Sequence, residues 1–363
     1  MPLVAVIAAL VIGAGMLLLM DANPVTAYKA LYEGAFGTNN NFANTLVKAT
    51  PLLLVGIGIC ISFRGGVVNI GGEGQIIVGA LCTVQAAFTF ESQPAEVLIP
   101  LCLVVGFAGG AVWGTIAGAL KAYFNVNEIL STIMLNQIAV YLMNYLLNND
   151  LMDPVQQTKL SRIPQTAKLP EAAYMPRIWN PTLLHAGVII AVVLAFLVYI
   201  LLWRTTIGYR IRAVGKNARA SRYAGIKVKR YILLSLLLSG GFSGLAGAML
   251  VMGGISHRMV TDGSASGFTG SAGFNGIVAA LFGQLHPVAT IPAALLFGAM
   301  LVGGQKLQRE MQVPSSLITV LNGLIIVFVV SSEILKRRRA RRRVVSSASE
   351  VETPSVAVGV DTV

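Results

Sequence analysis

The chain has 363 residues, 55% of them hydrophobic and only 12% charged, with a formal net charge of +12. A water-soluble chain of this length needs far more polar surface to cover its core, and a mean hydropathy of +0.73 excludes one. Apolar runs of about 18 residues or more recur almost throughout, the length a bilayer's hydrocarbon core demands of a helix, so the bulk of the protein is expected to face lipid.

Residues 1–20 are apolar but lack a basic n-region and an A-x-A-like cleavage site, and read as a first transmembrane helix at 3–20 rather than a signal peptide. Further spans are expected at 44–62, 67–90, 97–120, 129–147, 183–203, 231–252, 268–285, 287–304 and 314–335, with only His286 and Pro287 separating the eighth from the ninth. The fold class is therefore all-α, a polytopic integral membrane protein of about ten helices. The alternation of a lipid-facing barrel strand is absent, and backbone groups in lipid must be bonded internally.

Between the second and third spans lies Ser62-Phe-Arg-Gly-Gly-Val-Val-Asn-Ile-Gly-Gly-Glu-Gly-Gln75. Glycines with Asn69, Glu73 and Gln75 at the start of an apolar run suit a broken helix near 64–75, because irregular backbone and a carboxylate at membrane depth are tolerated beside a cavity or inside protein. A cytoplasmic turn with a solvated Glu73 is the competing reading. The fourth span carries Gly106, Gly110, Gly114 and Gly118 on one helix face, which fits either close helix packing or a glycine-lined path. In the fifth, Ser131, Thr132, Asn136 and Gln137 supply uncharged polar groups, as do Gln85 in the third and Asn322 in the tenth. Amides suit a neutral hydroxylated or heterocyclic solute, and interhelical hydrogen bonding explains them equally.

The segment 148–182 holds Pro154, Pro164, Pro170, Pro176 and Pro181 and reads as an irregular outer loop. The loop 204–230 holds nine basic residues from Arg204 to Arg230 and no acid, and Lys336 to Arg343 place a second basic run after the last span. Ten spans put both on one side, which the positive-inside rule makes the cytoplasm, together with both termini. These charges flank spans, so they imply membrane orientation and no nucleic-acid partner. A second break is expected near 263–276, where Gly263-Ser-Ala-Ser-Gly-Phe-Thr-Gly-Ser-Ala-Gly-Phe-Asn-Gly276 leads into another apolar segment. The two breaks enter from opposite faces by this count, as in inverted-repeat transporters, or share only composition. The domain plan is one transmembrane domain over 1–335 and a basic, then disordered, cytoplasmic tail over 336–363.

No catalytic or metal set is legible. His185, His257 and His286 lack ligand spacing, Cys60, Cys82 and Cys102 read as packing residues, and no P-loop, H-E-x-x-H or G-x-S-x-G occurs. An intramembrane enzyme lacks a nucleophile with its base. An ion-coupled carrier needs intramembrane acids, and only Glu73, Glu128 and Glu333 come near to qualifying.

Val68-Asn-Ile-Gly-Gly-Glu-Gly-Gln75, Asn127-Glu-Ile-Leu-Ser-Thr-Ile-Met-Leu-Asn136, Ile207-Gly-Tyr-Arg-Ile-Arg-Ala-Val-Gly-Lys-Asn-Ala-Arg-Ala-Ser-Arg-Tyr-Ala-Gly-Ile226 and Gly273-Phe-Asn-Gly-Ile277 occur in this order. Together they resemble the bacterial ABC-importer permeases of the branched-chain amino acid and ribose type, over about residues 20–335, and within them the nucleoside branch served by a basic-membrane-protein-type lipoprotein. The resemblance implies a non-enzymatic permease domain over 1–335 in the bacterial plasma membrane, carrying nucleosides, with ribose-type sugars as the alternative. It implies a partner ATPase that uses ATP and Mg, an extracytoplasmic solute-binding lipoprotein, a second permease subunit and membrane lipid, with no cofactor bound by this chain. A substrate pathway is expected at Asn69, Glu73, Gln75, Asn136, Gln137, Phe274 and Asn275. ATPase coupling is carried over to Gly208, Arg210, Arg212, Gly215, Asn217, Ala218 and Gly225. The sequence departs from the family at Asn275, where members often carry Asp, and lacks the cytoplasmic extension that many have before the first span.

Overall fold

The computed structural model describes residues 11–19, 23–160, 162–311, 320 and 323. Among them the chain is helical and contains no strand, only two isolated bridges, Gln165 with Val260 and Arg177 with His185. After a helical stretch at 11–18 come α1 (Pro24–Phe36), α2 (Asn39–Arg64), α3 (Gly72–Thr89), α4 (Ala95–Phe124) and α5 (Glu128–Asn148). An irregular segment leads to α6 (Gly187–Arg204), α7 (Thr206–Lys216), α8 (Ala218–Tyr223) and α9 (Val228–Gly253), followed by α10 (Ala265–Thr269), α11 (Ala272–Phe282) and α12 (Pro287–Met311).

The described residues bear out the all-α membrane fold but not the full count of about ten spanning helices. Six of the described helices are long and apolar enough to cross a membrane: α2, α4, α5, α6, α9 and α12. The run expected at 67–90 becomes helical only at Gly72; its first residues take no regular structure and its first helical turn is polar. The run expected at 268–285 divides into α10 and α11, and the 11 residues of α11 reach about 16 Å, half a bilayer core. Half of the expected span at 3–20 and nearly all of that at 314–335 fall outside the described residues, as do both termini and the tail. The helix α1 was not anticipated; Asn23 caps it by accepting from the Val25 amide at 2.9 Å.

Length and hydropathy do not distinguish helices that meet lipid from helices that meet protein. The most apolar windows of α2 and α9 are 78% and 72% buried inside the protein, against 28% for α6 and 33% for α4 and α5. The expectation that the bulk of the chain faces lipid therefore fails for the two central helices. Each packs against the half-length or broken helix, and the helix after it, from the other half of the chain: α9 against α3 and α4, α2 against α11 and α12. The same order of parts thus occurs twice, a long central helix, a break, and a helix that resumes inside the protein.

The glycine stripe of α4 settles its two readings by where it points. A Cβ on Gly110 would meet the Gly244 Cα at 2.5 Å, and one on Gly114 would meet the Gly240 Cα at 3.0 Å, so the backbones of α4 and α9 are in direct contact. Without side chains between them, dispersion and weak backbone contacts replace the hydrophobic drive that lipid does not supply. Substituting Gly244 by Val would force the helices apart, at a cost of ~1–3 kcal/mol or more. The unfolding midpoint of purified protein in detergent is expected to fall clearly in Gly244→Val and to stay unchanged in Val104→Ala, at a position of α4 that is 65% exposed.

Candidate functional site

The faces of the molecule follow from contacts between helix ends. One, here the basic face, carries Arg64 at the end of α2, the helices α7 and α8, and the α11–α12 junction, to which Arg64 donates through Nε to Leu285 O at 3.1 Å and Nη2 to Gln284 O at 3.2 Å. The opposite face carries the irregular segment 149–186 and the α9–α10 connection, joined by Asn144 Nδ2 to Gly263 O at 3.1 Å and by Arg258 to Asp153 at 3.5 Å. The first break begins at Arg64 on the basic face; the second passes Gly263 on the opposite face.

Both breaks end in helix starts without local side-chain caps. The N-cap of α3 is Gly71 and that of α11 is Ser271, a residue at φ 60, and neither makes a side-chain capping bond. The unsatisfied first-turn amides are capped from other helices instead. Asn136 on α5 accepts from the Gly74 amide through Oδ1 at 2.8 Å and donates through Nδ2 to Ile70 O at 3.0 Å. Glu73, in the first turn of α3, accepts from the Phe274 amide of α11 through Oε1 at 3.1 Å. Its Oε2 has no hydrogen-bond partner among the described residues. Asn69 accepts from the Gly71 amide at 2.9 Å and donates to Gln75 Oε1 at 3.0 Å and to Ser239 Oγ of α9 at 2.8 Å. Gln75 returns a bond to Asn69 Oδ1 at 3.2 Å. The start of α3 is thus a hub that ties α5, α9 and α11 together.

The residues expected along a substrate pathway separate into two groups. Asn69, Glu73, Gln75 and Asn136 are buried, with their polar atoms largely spent on this hub. Gln137 and Phe274 are exposed and Asn275 is half-buried. Gln137 follows hub residue Asn136, and Phe274 lends its amide to Glu73, so a surface that includes α5 and the start of α11 is the solute-facing candidate.

A cavity that sequence reasoning missed opens toward the face opposite the basic one. Its volume is about 520 Å³, and its lining includes Asn44 and Lys48 of α2, His185, Arg258, Phe268 of α10 and Gln305 of α12. The lining contains two cations and no acid. No motif announces it, because the residues come from five separate stretches of chain. His185, two residues ahead of α6, is 2% exposed and accepts from the Gly187 amide at 3.1 Å. Burial, and secondarily the nearby His257, push its pKa down to about 4.

The residues expected to couple to an ATPase also divide. Asn217 ends α7 and starts α8, donating its own amide to Ala213 O at 3.1 Å and accepting from the Ala220 amide at 3.0 Å. Asn217, Ala218, Arg210 and Gly225 are exposed, the last at φ +78 in open space. The others turn inward. Gly208 packs on the end of α6, where a Cβ would meet Leu202 Cα at 2.5 Å. Arg212 lies over the Trp203 ring at 5.5 Å, and Arg64 lies over the same ring at 5.2 Å. Gly215 rests on the first break: a Cβ on Gly66 would meet the Gly215 Cα at 2.8 Å. Gly208, Gly215 and Arg212 therefore hold α7 in place, while the exposed four present a surface.

Residues 41–330 match the family model described as branched-chain amino acid transport system / permease component. The guanosine ABC transporter permease protein NupP of Bacillus subtilis is 38% identical over 331 residues, covering 91% of this chain and 92% of the relative. The nucleoside ABC transporter permease protein NupB of Lactococcus lactis is 31% identical over 334 residues, covering 90% and 89%. The glucose ABC transporter permease protein TsgB13 of Haloferax volcanii is 31% identical over 342 residues, covering 92% and 87%.

The depressed pKa of His185 carries a sign. The imidazole is neutral when buried down to about pH 4 but takes a proton near 6.5 once unfolded, so its contribution to stability is intact above about pH 6.5 and is lost as pH falls toward 4. The unfolding midpoint of purified protein is expected to drop between pH 7 and pH 4.5, and less steeply in His185→Gln.

Proposed function

The chain belongs to the branched-chain amino acid transport system / permease component family, and from that membership we propose that it is the permease subunit of an ABC importer for nucleosides. The observation that carries the reading is its 38% identity to a guanosine permease across nearly the full length of both chains. A glucose permease at 31% identity supports simple sugars as the second reading. A neutral solute suits an α5 surface on which Gln137 stands exposed among apolar side chains, because a neutral, hydrogen-bonding cargo needs no fixed countercharge.

The protein resides in the plasma membrane with several passes. Its basic face is cytoplasmic, since α7, α8 and the start of α9 concentrate the positive charge that membrane insertion retains inside. There the exposed surface of Asn217, Ala218 and Gly225 docks on a partner ATPase, which uses ATP and Mg. The opposite face, with its proline-rich segment and cavity, receives solute from a binding lipoprotein. The exposed apolar surface of α5, with Ile133, Met134, Ile138 and Tyr141, faces a second permease subunit across the solute path. ATP binding closes the ATPase pair, and the permease alternates its opening between the two sides.

An ion-coupled carrier is the less favoured alternative. Among the described residues, the buried acid at the hub, Glu73, already accepts a bond from the Phe274 amide.

Uptake of radiolabelled guanosine, adenosine and ribose in cells with and without this chain separates the substrate classes. Nucleoside uptake is expected to vanish without the chain and to withstand excess ribose; loss of ribose uptake alone would move the protein to the sugar branch. Ala218 is exposed, so Ala218→Trp should leave the protein in the membrane at its normal level. Bulk at the centre of a docking surface is expected to lower uptake about tenfold or more. Full uptake in that variant would refute the docking assignment.

A further inference from the structure

The basic-face helix α7 and the half-helix α11 belong to distant parts of the chain, yet one short segment touches both. At one end, Gly66 lies against Gly215 of α7, so closely that a Cβ on Gly66 would meet the Gly215 Cα at 2.8 Å. At the other, Glu73 holds the Phe274 amide at 3.1 Å, and a Cβ on Gly273 would meet the Glu73 Cδ at 2.8 Å. Only six residues lie between Gly66 and Glu73.

That segment has little slack. Asn69, bonded to Gly71, Gln75 and Ser239, fixes its middle, and Asn136 clamps Ile70 and Gly74. Gly66 stands at φ +78, a conformation that allows the sharp change of direction at the basic face. A displacement delivered at Gly66 is therefore passed along the segment, because a packed and hydrogen-bonded element moves as a body rather than deforming.

From Glu73 onward the connection is the carboxyl group together with a close backbone contact, in which a Cβ on Gly273 would meet the Glu73 N at 2.5 Å, while α11 also packs on α2 and α12. The carboxylate reaches the first turn of α11 with a single oxygen, and Oε2 has no partner among the described residues. A carboxyl oxygen that accepts from a helix's first-turn amide satisfies a group the helix itself leaves unbonded, and the bond is directional. It joins α3 to a helix of 11 residues, too short to be anchored at both membrane faces. Phe274, which donates this bond, is itself 50% exposed on the candidate solute surface.

We propose that Glu73 is a positioning residue for transport, the tie through which movement of α7 on the ATPase side reaches α11 on the solute side. The proposal rests on the assignment of α7 and α8 as the docking segment. Glu73 touches neither solute nor ATPase in this role. It sets where α11 stands.

The test uses the assembled transporter, with its ATPase and binding protein, in proteoliposomes, with Cys60, Cys82 and Cys102 replaced by Ala. Single cysteines at I207C, exposed on α7, and N275C, half-buried on α11, report through their rates of thiol labelling with and without a non-hydrolysable ATP analogue. With Glu73 intact, nucleotide should change the rate at both positions. In E73A it should change the rate at I207C alone, uptake should fall roughly 3- to 30-fold, and ATP hydrolysis by the complex should persist. E73Q, which keeps an oxygen for the Phe274 amide, should restore the response at N275C. Gly273→Ala, which pushes α11 off the carboxylate, should reproduce the E73A pattern and serves if E73A fails to assemble. An N275C response in E73A or Gly273→Ala equal to that with Glu73 intact overturns the proposal alone. An I207C reporter that ignores nucleotide with Glu73 intact overturns the docking assignment and the proposal with it.

Discussion

The architecture turns on backbone amides that begin a helix inside the protein. A helix start at a membrane surface leaves its first amides to water or to a local Ser, Thr or Asn, as Asn127 does for α5 and Thr205 for α7. The N-cap residues of α3 and α11 make no such bond. A buried amide left uncapped costs on the order of 1–3 kcal/mol, and the fold removes that cost by lending side chains across helices. Asn136 caps α3 and Glu73 caps α11. Because each loan crosses from one element to another, satisfying the backbone also fixes how α3, α5 and α11 stand relative to each other.

The glycines act on the same requirement from the packing side. Contact of α4 with α9 through Gly110, Gly114, Gly240 and Gly244 brings backbones together, and α2 meets α12 through Gly298, where a Cβ would lie 3.0 Å from the Ala49 Cβ. Close approach of this kind leaves little freedom for the central helices to slide. The surface pair α7 and α8 has fewer neighbours, whereas the half-helix α11 packs on α2 and α12. A permease needs that division, with a stiff centre against which small elements change position.

Charge is placed to match. The basic face holds arginines whose carbon stems and guanidinium planes pack on protein as well as face water. Arg64 and Arg212 both lie over Trp203, whose ring also neighbours Tyr199 and His286. Planar cations on an aromatic face are held without a carboxylate partner. Part of the positive charge thereby becomes a structural joint between α2, α6 and α7, and the remainder at Arg210, Arg219 and Arg222 stays exposed.

The sequence by itself determined that this is a helical membrane protein, that the helix pattern fails near residues 64–75 and 263–276, and where its basic loop lies. Those features are local: hydropathy over a window, glycine density and charge clustering can each be read without knowing any neighbour. Membership of a transport family was likewise legible, since its motifs are contiguous strings. What only the tertiary structure decided is which residues face which. Asn69, Glu73, Gln75 and Asn136 look from sequence like the polar lining of a path, yet they are turned inward to satisfy one another and two helix starts. Gly215 looks like part of a docking surface and instead bears on Gly66. The cavity around Lys48, His185 and Gln305 leaves no trace in any single stretch. Hydrogen bonds and cavities depend on distances between residues far apart in the chain, and those distances exist only once the helices have packed.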